Sequence, residues 1–472
     1  MLRIVGDGSV EVADLAYDSR KVGPGTLFFC VPGEKVDGHE FALMAVEAGA
    51  SALVVERELE VGVAQVVVAD ARAAMAPLAA RFWGEPTGKL RVVGVTGTNG
   101  KTTTAFLIRE ILEAAGVSCG LLGTVKQVVG GVEEAVERTT PEAIELQASF
   151  RRMLEAGDRA CVMEVSSHAL ALHRADAIHF ELALFTNLTQ DHLDFHADME
   201  DYFLAKRGLF AAGPGTAIVN VDDPYGRRLA EEFECVTFSA EGGEADYAAR
   251  EVRFDAAGAE FVVTGPAGET AVRTGIPGHF NVANALGAFA AAAALGLPPE
   301  SAAGGLARAA RVPGRFEPVD EGQGFAVLVD YAHTPDSLQN VLRAARRITA
   351  GRLIAVFGAG GDRDRDKRPK MGRAGTELSD LAVVTSDNPR SEDPEAIVAE
   401  VAAGADPGAE VEIEVDRRAS IALALARAEP GDTVVIAGKG HEQGQEFADG
   451  RKVPFDDREV AGAELRKLGN PA

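Results

Sequence analysis

The sequence is poor in cysteine, in basic residues and in long apolar runs. Its four cysteines, Cys30, Cys119, Cys161 and Cys235, lie too far apart for a metal knuckle, and their apolar neighbours predict buried free thiols. Against 72 Asp and Glu there are only 47 Lys and Arg, and the net charge of −25 argues against nucleic acid or an anionic membrane as partner. The longest small apolar run, residues 285–297, is too short to span a bilayer, and the first residues show no secretory apolar region. We therefore expect an acidic cytoplasmic protein.

The length of 472 residues predicts about three domains. Breaks of linker composition at residues 84–89 and 311–318 place their limits at 1–88, 89–312 and 313–472. Short apolar strands alternate with helical stretches throughout, which predicts an α/β fold: a smaller N-terminal α/β domain, a central open and mainly parallel sheet, and a third α/β domain. Polar and glycine-rich residues directly follow the strands, which is where such sheets bind ligands. We expect an active site between domains.

The segment VVGVTGTNGKTTT (92–104) joins a predicted strand to a predicted helix. Lys101 and Thr102 occupy the positions that, in a P-loop, meet the β- and γ-phosphates and Mg²⁺, and the loop N–H groups surround the anion. The spacing departs from the usual P-loop, because Val95 stands where the first glycine is expected and the turn is shorter. We predict a site for a nucleoside triphosphate with Mg²⁺.

Two strand ends supply candidate metal ligands. Glu164 closes a strand with apolar flanks, a position where P-loop proteins commonly carry a metal-binding carboxylate. His192 follows the next strand among other acidic and histidine side chains, so a ligand role and a purely structural role both stay open. By composition alone, Lys206 is an ordinary solvated lysine of a helix.

Eight motifs together resemble the Mur ligases, ATP-dependent amide-forming enzymes of peptidoglycan synthesis. In chain order these motifs are TGTNGKTTT, EVSSHAL, FTNLTQDHLDFH, YFLAKRGLF, GHFNVANALGA, GRFE, DYAHTP and GKGHE. The resemblance runs from DSR (18–20) to GKGHE (438–442), essentially the whole chain.

The resemblance implies three domains that bind, in order, the UDP end of the substrate, ATP on a P-loop, and the incoming amino acid on a Rossmann-like fold. It implies that ATP phosphorylates the D-Glu carboxylate of UDP-N-acetylmuramoyl-L-Ala-D-Glu and that an amino group then attacks the acyl phosphate. Phosphorylation is needed because a carboxylate is a poor electrophile, and metal and Lys must meet the charge of the transferring phosphoryl group. The implied cofactors are ATP and Mg²⁺.

The resemblance also assigns residues. The implied ATP contacts are Gly97, Thr98, Asn99, Gly100, Lys101, Thr102, Thr103, Asn281, Asn284, Arg315 and Asp330. The implied catalytic residues are Lys101, Glu164, His192 and Lys206, and the implied metal ligands are Thr102, Glu164, His192 and Lys206, the last carbamylated to N6-carboxylysine. The implied contacts of the nucleotide-sugar peptide are Tyr17, Ser19, Glu34, Lys35, Val36, Thr139, Thr140, Ser166, Leu172 and Arg174. Family members often have Gln where this chain has Leu172, so one hydrogen bond to substrate is missing or replaced.

The third domain indicates which amino acid is added. The implied contacts are Arg363, Asp387, Asn388, Pro389, Arg390, Gly438 and Glu442. Diaminopimelate differs from lysine by a distal carboxylate, which an Arg side chain binds as a bidentate fork. The sequence DNPR (387–390) is typical of the branch that adds meso-2,6-diaminopimelate, and Glu442 suits the distal ammonium. A lysine-adding ligase, with Arg390 only capping a turn, stays open.

Two further alternatives come from other classes. A folylpolyglutamate-synthase-like ligase is disfavoured by the DSR-containing first domain and by DNPR. A non-catalytic nucleotide switch would not need Glu164, His192, Arg315 and Asp330 together. Phosphate release that requires both substrates separates a ligase from such a switch.

Overall fold

A computed structural model describes residues 3–33, 36–136, 138–255 and 257–469. The strands are β1 Arg3–Val5, β2 Asp14–Ala16, β3 Thr26–Phe29, β4 Ala50–Val55, β5 Ala64–Val67, β6 Arg91–Thr96, β7 Cys119–Leu122, β8 Gln127–Val129, β9 Val132–Glu134, β10 Ala160–Glu164, β11 Phe180–Phe185, β12 Thr216–Asn220, β13 Cys235–Ser239, β14 Tyr247–Asp255, β15 Gly258–Gly265, β16 Gly268–Thr274, β17 Glu317–Pro318, β18 Ala326–Asp330, β19 Leu353–Phe357, β20 Leu381–Val384, β21 Val411–Ile413, β22 Thr433–Ala437, β23 Gly444–Glu446 and β24 Lys452–Pro454.

The helices are α1 Ala42–Glu47, α2 Ala71–Phe82, α3 Lys101–Ala114, α4 Ala143–Ala156, α5 Ser167–Ala171, α6 Met199–Ala211, α7 Pro224–Glu232, α8 His279–Ala294, α9 Pro299–Arg308, α10 Pro335–Ile348, α11 Lys367–Leu378, α12 Pro394–Ala402, α13 Arg417–Arg427 and α14 Asp457–Gly469. Short 3₁₀ turns cover Ser19–Lys21, Gly38–Phe41, Pro86–Gly88 and Ala448–Gly450.

The chain divides into two compact units, and the domain limits predicted above stay a prediction. The first unit comprises residues 1–94, 117–181 and 211–215, and the second unit comprises residues 95–116, 182–210 and 216–472. Strand β6 therefore contributes residues to both units.

The first unit contains a five-stranded sheet in the order β1-β5-β4-β3-β2, in which only β1 runs antiparallel to its neighbour. Successive side chains of β3 point to opposite faces: Leu27 and Phe29 pack against α2, whereas Phe28 and Cys30 pack against α1. The same unit holds β10, which pairs with β7 in parallel, followed by the antiparallel strands β8 and β9.

The second unit contains two sheets. Strands β11, β12, β13 and β14 pair in parallel, and β14, β15 and β16 form an antiparallel meander. The other sheet has the order β17-β18-β22-β19-β20-β21, parallel except for β17, with separate apolar cores on its two faces. The hairpin β23–β24 follows β22 in the chain.

The α/β class with mainly parallel sheets is confirmed, but the sequence interpretation missed the antiparallel strands β8–β9 and β14–β16. These strands carry many charged and exposed side chains, so their apolar pattern is weaker than that of the buried parallel strands. All four cysteines are free thiols. Cys30, Cys119 and Cys161 are buried as expected, whereas the prediction for Cys235 was wrong, since it is only half-buried at the start of β13.

Within the described ranges, every helix is too short or too polar to be a candidate membrane span.

Candidate active site

The phosphate-binding turn of the second unit lies between β6 and α3. Gly97 and Gly100 have φ values of +146° and +85°, which side-chain-bearing residues rarely adopt. A Cβ at Gly97 would also clash with Thr186 Oγ1, and a Cβ at Gly100 with Asn284 Oδ1. Helix α3 begins at Lys101, and its N-cap residue Gly100 has no side chain to bond the first N–H groups of the helix. This arrangement forms an anion site at a helix N-terminus.

Two lysines converge on one carbonyl of this turn. Lys101 Nζ donates to Gly97 O at 3.0 Å and to Thr98 O at 2.8 Å, and Lys206 Nζ donates to Gly97 O at 2.7 Å. Lys206 is only 1% exposed. Burial and the nearby charge of Lys101 hold the pKa of Lys206 well below its ordinary value, although Asp191 acts in the opposite direction. The amine of Lys206 therefore loses its proton more readily than an exposed lysine does.

The interpretation of Lys206 as a solvated lysine was wrong, because the buried face of α6 packs on the phosphate turn. Tyr202, one helical turn earlier, places its ring 4.7 Å from Lys206 Nζ, and its hydroxyl lies 3.1 Å from Thr98 Oγ1. The aromatic ring of His196 stacks on Tyr202 at 5.0 Å between centroids. Aromatic packing and one buried hydrogen bond thus join this part of α6 to the turn.

The carboxylate of Asp191, in the loop that follows β11, lies close to two imidazole rings and one lysine ammonium. Its carboxylate lies 3.4 Å from His192 Nε2, 3.7 Å from His333 Nε2 and 3.6 Å from Lys367 Nζ. Burial would raise the pKa of Asp191, but these neighbours outweigh it, and the pKa lies well below its ordinary value. Asp191 is therefore a buried, ionised carboxylate beside the predicted ligand His192.

The predicted metal ligands fall in different units, so the four-residue set stays a prediction. Thr102 is buried in the first turn of α3 and accepts a hydrogen bond from Arg315 Nη2 at 3.1 Å. Glu164, in the first unit, is buried and accepts hydrogen bonds from Thr124 N and Thr124 Oγ1 at 2.7 and 3.0 Å. In the part of the chain that the structure describes, no three His, Cys, Asp or Glu side chains form a group suited to a metal ion.

The other predicted ATP residues line the same turn. Asn284 connects Thr104 of α3 to Asn281, with distances of 3.3 and 3.0 Å. Arg315 stacks over the Tyr331 ring at 4.5 Å, and its buried Nε has no hydrogen-bond acceptor within the described ranges. The structure therefore brings together the asparagines and the linker arginine around the phosphate turn.

Asp330 ends β18 close to this arginine. Its carboxylate accepts a hydrogen bond from Phe316 N at 2.6 Å. Burial raises the pKa of Asp330 even though Arg315 acts to lower it. The carboxylate therefore braces the linker residue that follows Arg315.

The phosphate turn also contacts elements of the C-terminal sheet. Asn99 Nδ2 donates to Asp336 Oδ2 of α10 at 2.9 Å, and Gln190 Nε2 donates to Asp364 Oδ2 at 3.0 Å. Since α10 follows β18 directly, the nucleotide residues and the strand ends of the C-terminal sheet share one region of the second unit. The expectation of an active site between domains stays a prediction.

The seven residues predicted to read the amino acid form one cluster at those strand ends. The nearest atoms that a Cβ at Gly360 would meet belong to Arg390, Arg363 and Asn388, and one at Gly438 would meet Asp387. The remaining member, Glu442, accepts a hydrogen bond from Asn388 Nδ2 at 2.8 Å, and Pro389 stands between Asn388 and Arg390 in the chain.

Arg390 has a strained backbone, with φ at +51°. Its N–H donates to Glu446 O at 3.0 Å, its Nη1 donates to Gly361 O at 2.7 Å, and its Nε lies 3.3 Å from Glu446 Oε2. These contacts hold the Arg390 guanidinium in place beside Gly361 and Glu446.

The first unit holds the residues predicted to contact the nucleotide-sugar peptide. Thr140 Oγ1 donates to Glu164 O at 2.9 Å and accepts from Ser166 N at 3.1 Å, and Arg174 Nη1 donates to Thr140 O at 3.4 Å. Thr139 Oγ1 lies 3.0 Å from Thr124 Oγ1, the same side chain that binds Glu164. The structure thus groups Thr139, Thr140, Glu164, Ser166 and Arg174, with Leu172 at the end of α5.

Of the predicted uridine residues, Tyr17, Ser19 and Val36 lie in the first unit. Tyr17 follows β2, and its hydroxyl bonds Glu145 Oε1 at 3.1 Å; burial and this carboxylate raise the pKa of Tyr17 to about 12. Ser19 opens a 3₁₀ turn, and Val36 is exposed. Glu34 and Lys35 lie outside the described residues.

Three family models match this chain in succession. The description "Mur ligase family, catalytic domain" matches residues 11–83, "Mur ligase middle domain" matches 95–292, and "Mur ligase, glutamate ligase domain" matches 314–440. The chain belongs to the Mur ligase family. It is therefore an enzyme of the ATP-dependent, amide-forming ligase class, as the motifs implied.

Mur ligases of known name cover almost the whole chain. A UDP-N-acetylmuramoyl-L-alanyl-D-glutamate–2,6-diaminopimelate ligase of Streptomyces coelicolor is 50% identical over 476 residues, 98% of this chain and 94% of that protein. A ligase of the same name from Clostridioides difficile is 43% identical over 475 residues, 99% and 98% of the two chains.

Solved structures of Mur ligases share the fold. One of a UDP-N-acetylmuramoyl-L-alanyl-D-glutamate–2,6-diaminopimelate ligase is 32% identical with a TM-score of 0.69, over 97% of this chain and 96% of the other. A MurF ligase of Thermotoga maritima in complex with ADP has the same TM-score at 21% identity, over 97% and 99% of the two chains, and supports the fold alone.

Sequence reasoning missed several residues of the Mur ligase site. Asp191 stood beside His192 in the predicted strand end, and His333 stood within the motif DYAHTP, but neither was assigned a role. Tyr202 and Lys439 were also missed. All four are polar side chains inside a family motif, and this position was the available signal. A motif position indicates a functional role, but it does not show which side chains the residue contacts in the fold.

Proposed function

We propose that this Mur ligase joins meso-2,6-diaminopimelate to the D-Glu carboxylate of UDP-N-acetylmuramoyl-L-Ala-D-Glu, with ATP converted to ADP and phosphate. The observation that carries the proposal is the cluster around Arg390, Arg363 and Glu442 at strand ends that also adjoin the phosphate turn. Two cationic forks and one carboxylate complement a distal group that bears both a carboxylate and an ammonium. Relatives with this function in their name, 43–50% identical to this chain, support the proposal.

The proposed chemistry has two steps in which atoms balance. An oxygen of the γ-carboxylate of D-Glu attacks the γ-phosphorus of ATP, and ADP leaves, which produces an acyl phosphate. The amino group of diaminopimelate then attacks the acyl carbon, loses a proton, and expels inorganic phosphate as the amide forms. Lys101 and the first N–H groups of α3 would neutralise charge on the transferring phosphoryl group.

The remaining nucleotide residues would orient ATP. Arg315 reaches the Thr102 hydroxyl, and within the described ranges its buried Nε–H has no acceptor, which suits a phosphate or ribose oxygen. Asn281 and Asn284 are buried beside the turn and suit the adenine side, and Asp330 suits the ribose side. These roles come from the family resemblance and agree with the positions around the turn.

Mg²⁺ would be held by Thr102, Glu164, His192 and a carbamylated Lys206, and it would neutralise charge on the phosphates. The chemistry of Lys206 fits this assignment, because CO₂ adds to a neutral amine and the buried amine of Lys206 has a strongly lowered pKa. Carbamylation replaces a cation with a carboxylate, an oxygen ligand of the type Mg²⁺ prefers. Asp191 keeps a further anionic charge beside His192.

The first unit would bind the nucleotide-sugar peptide. Thr139, Thr140, Ser166 and Arg174 are grouped as polar donors, and they suit the muramoyl-peptide carboxylates and amides. Tyr17, Ser19 and the segment 34–36 would bind the uridine end. Leu172 offers no hydrogen bond at its position, so the grouped hydroxyls and Arg174 carry this recognition. A cytoplasmic location remains a proposal that agrees with the use of ATP.

A panel of amino acids tests the proposal. Purified enzyme is supplied with ATP, Mg²⁺ and UDP-N-acetylmuramoyl-L-Ala-D-Glu, and products are identified by mass. We expect a diaminopimelate adduct and phosphate release that requires both substrates. An L-lysine adduct as the main product would establish the lysine-adding alternative, and phosphate release without any amino acid would indicate a nucleotide switch.

Arg390→Ala is expected to narrow the preference for diaminopimelate over lysine. A hydrogen bond to a charged group contributes about 1.5–3 kcal/mol, so the KM for diaminopimelate should rise roughly 10- to 150-fold. Lysine has no distal carboxylate, so its KM should change little in this variant. The measurement is the ratio of kcat/KM for the two amino acids, with the KM for ATP unchanged. Arg418→Ala, an exposed arginine of α13, is the matched control. An unchanged ratio in Arg390→Ala would show that Arg390 does not read the carboxylate.

A further inference from the structure

Lys439 is a charged side chain at the amino-acid cluster that the proposed function does not use. It lies between Gly438 and Gly440, directly after β22, and its side chain is 0% exposed. A lysine is almost never fully buried unless its ammonium is paired. Because Lys439 is fully buried inside the cluster, we expect its ammonium to have hydrogen-bond acceptors or carboxylates as partners.

The ammonium of Lys439 binds two residues of the amino-acid cluster directly. Lys439 Nζ donates to Asn388 Oδ1 at 2.8 Å and to Glu442 Oε2 at 2.9 Å, and it lies 3.7 Å from Asp387 Oδ1. Asn388 Nδ2 in turn donates to the same Glu442 Oε2 at 2.8 Å. Three side chains therefore form a closed triangle of hydrogen bonds.

These three hydrogen bonds fix the orientation of the Asn388 amide and of the Glu442 carboxylate. Because Asn388 Oδ1 also accepts from Glu446 N at 3.0 Å, the amide oxygen faces two donors and its NH₂ group must face Glu442. Among the described residues, the hydrogen bonds to the Glu442 carboxylate use Oε2, which leaves Oε1 for a ligand. The side chain of Glu442 is 30% exposed, so without these donors it is able to rotate into solvent.

Buried charged groups of both signs surround Lys439. Arg417 and Asp457, both 0% exposed, pair through two hydrogen bonds of 2.8 and 2.7 Å. Lys439 lies between two carboxylates, Asp387 and Glu442. Burial acts to raise the pKa of Asp387, but Lys439 and Arg417 outweigh it and the pKa is lowered. Lys439 therefore supplies a hydrogen-bonded cation to the carboxylate of Glu442.

We propose that Lys439 is a positioning residue, which holds Asn388 and Glu442 in the orientation that reads the distal ammonium of the incoming amino acid. The inference rests on the proposed function. It assigns to Lys439 no contact with substrate and no part in phosphoryl transfer. Loss of Lys439 would leave Asp387 and Glu442 as neighbouring like charges and would free the Asn388 amide to turn over.

The test compares Lys439→Met, Lys439→Gln and wild type. The ligands are diaminopimelate, ATP and 2-aminopimelate. Met keeps much of the volume without a donor, whereas Gln keeps a neutral donor that reaches one partner. We expect the KM for diaminopimelate to rise about 10- to 100-fold in Lys439→Met and by an intermediate factor in Lys439→Gln. The KM for ATP should stay within about threefold of wild type. If Lys439→Met does not fold, Lys439→Gln carries the same comparison.

The decisive ligand is 2-aminopimelate, which keeps the distal carboxylate but has no distal ammonium. Its apparent affinity, as substrate or competitive inhibitor, should be nearly equal in wild type and Lys439→Met, because Glu442 has nothing to read. Lys467→Met, an exposed lysine of α14, is the control for removal of a lysine. An unchanged KM for diaminopimelate overturns the proposal. The proposal is also overturned if Lys439→Met weakens the binding of 2-aminopimelate as much as that of diaminopimelate. A joint rise of all KM values with a lower melting temperature overturns it as well, since both outcomes indicate a structural role. A wild type that does not use diaminopimelate overturns the proposed function, and this inference with it.

Discussion

Lys101→Ala should abolish product formation, with kcat reduced about 10³-fold or more. Lys101 Nζ sits on the carbonyls of Gly97 and Thr98, at the turn where the transferring phosphoryl group would lie. Without it, the charge that develops on the phosphoryl group loses its nearest cation on the protein. The measurement is ADP release and product mass under saturating ATP.

Two controls separate lost chemistry from lost structure in this variant. The melting temperature of Lys101→Ala should stay close to wild type, because Lys206 still donates to Gly97 O. Lys467→Ala, which removes an exposed lysine, should leave turnover unchanged. Turnover of Lys101→Ala above one tenth of wild type would contradict the assignment of Lys101 to phosphoryl transfer.

Lys206→Ala and Lys206→Met are expected to lower kcat about 10²- to 10³-fold while the fold persists. Both variants remove the amine that would carry the carbamate, and Met keeps the side-chain volume between Tyr202 and the phosphate turn. Added acetate or formate should restore part of the activity of Lys206→Ala, because a short carboxylate can occupy the space that the side chain leaves.

A readout independent of turnover is the carbamate itself. Wild type supplied with ¹³C-bicarbonate should show a carbamate carbon signal by NMR that is absent in Lys206→Met. The neighbouring Arg207→Ala, whose side chain pairs with Glu232, should keep both the signal and the activity. Full activity in Lys206→Ala would refute the carbamate assignment, and a carbamate signal that survives in Lys206→Met would place it on another amine.

The nucleotide site was largely predictable from local sequence. The turn Gly97–Gly100, the first residues of α3 and the strand-end Glu164 follow from short-range rules, because a tight turn needs glycine and an anion needs a helix N-terminus. The family resemblance then extended this to distant residues such as Arg315, which the structure places on the Thr102 hydroxyl. The structure also brings Arg363, Asn388 and Arg390 together near Gly360, and their role in binding the amino acid stays a prediction.

Local sequence patterns did not predict the burial and the partners of the charged side chains. Lys206 and Lys439 resemble surface lysines in sequence, yet both are buried, and their partners, Gly97, Asn388 and Glu442, lie far away in sequence or across a turn. The antiparallel strands β14–β16 were missed for a related reason, since their stability comes from pairing with one another more than from an apolar pattern of their own.

The sequence by itself determined the α/β class, the ligase family and the phosphate turn, and it predicted the residues that read the amino acid. These depend on residue type and on short spacing, which the chain carries directly. Only the tertiary structure decided that the amine of Lys206 is buried against Gly97 O with a lowered pKa. It also decided that Asp191 lies beside His192, His333 and Lys367, and that Lys439 bonds Asn388 and Glu442. The physical reason is that protonation and orientation depend on burial and on charges brought together from distant parts of the chain.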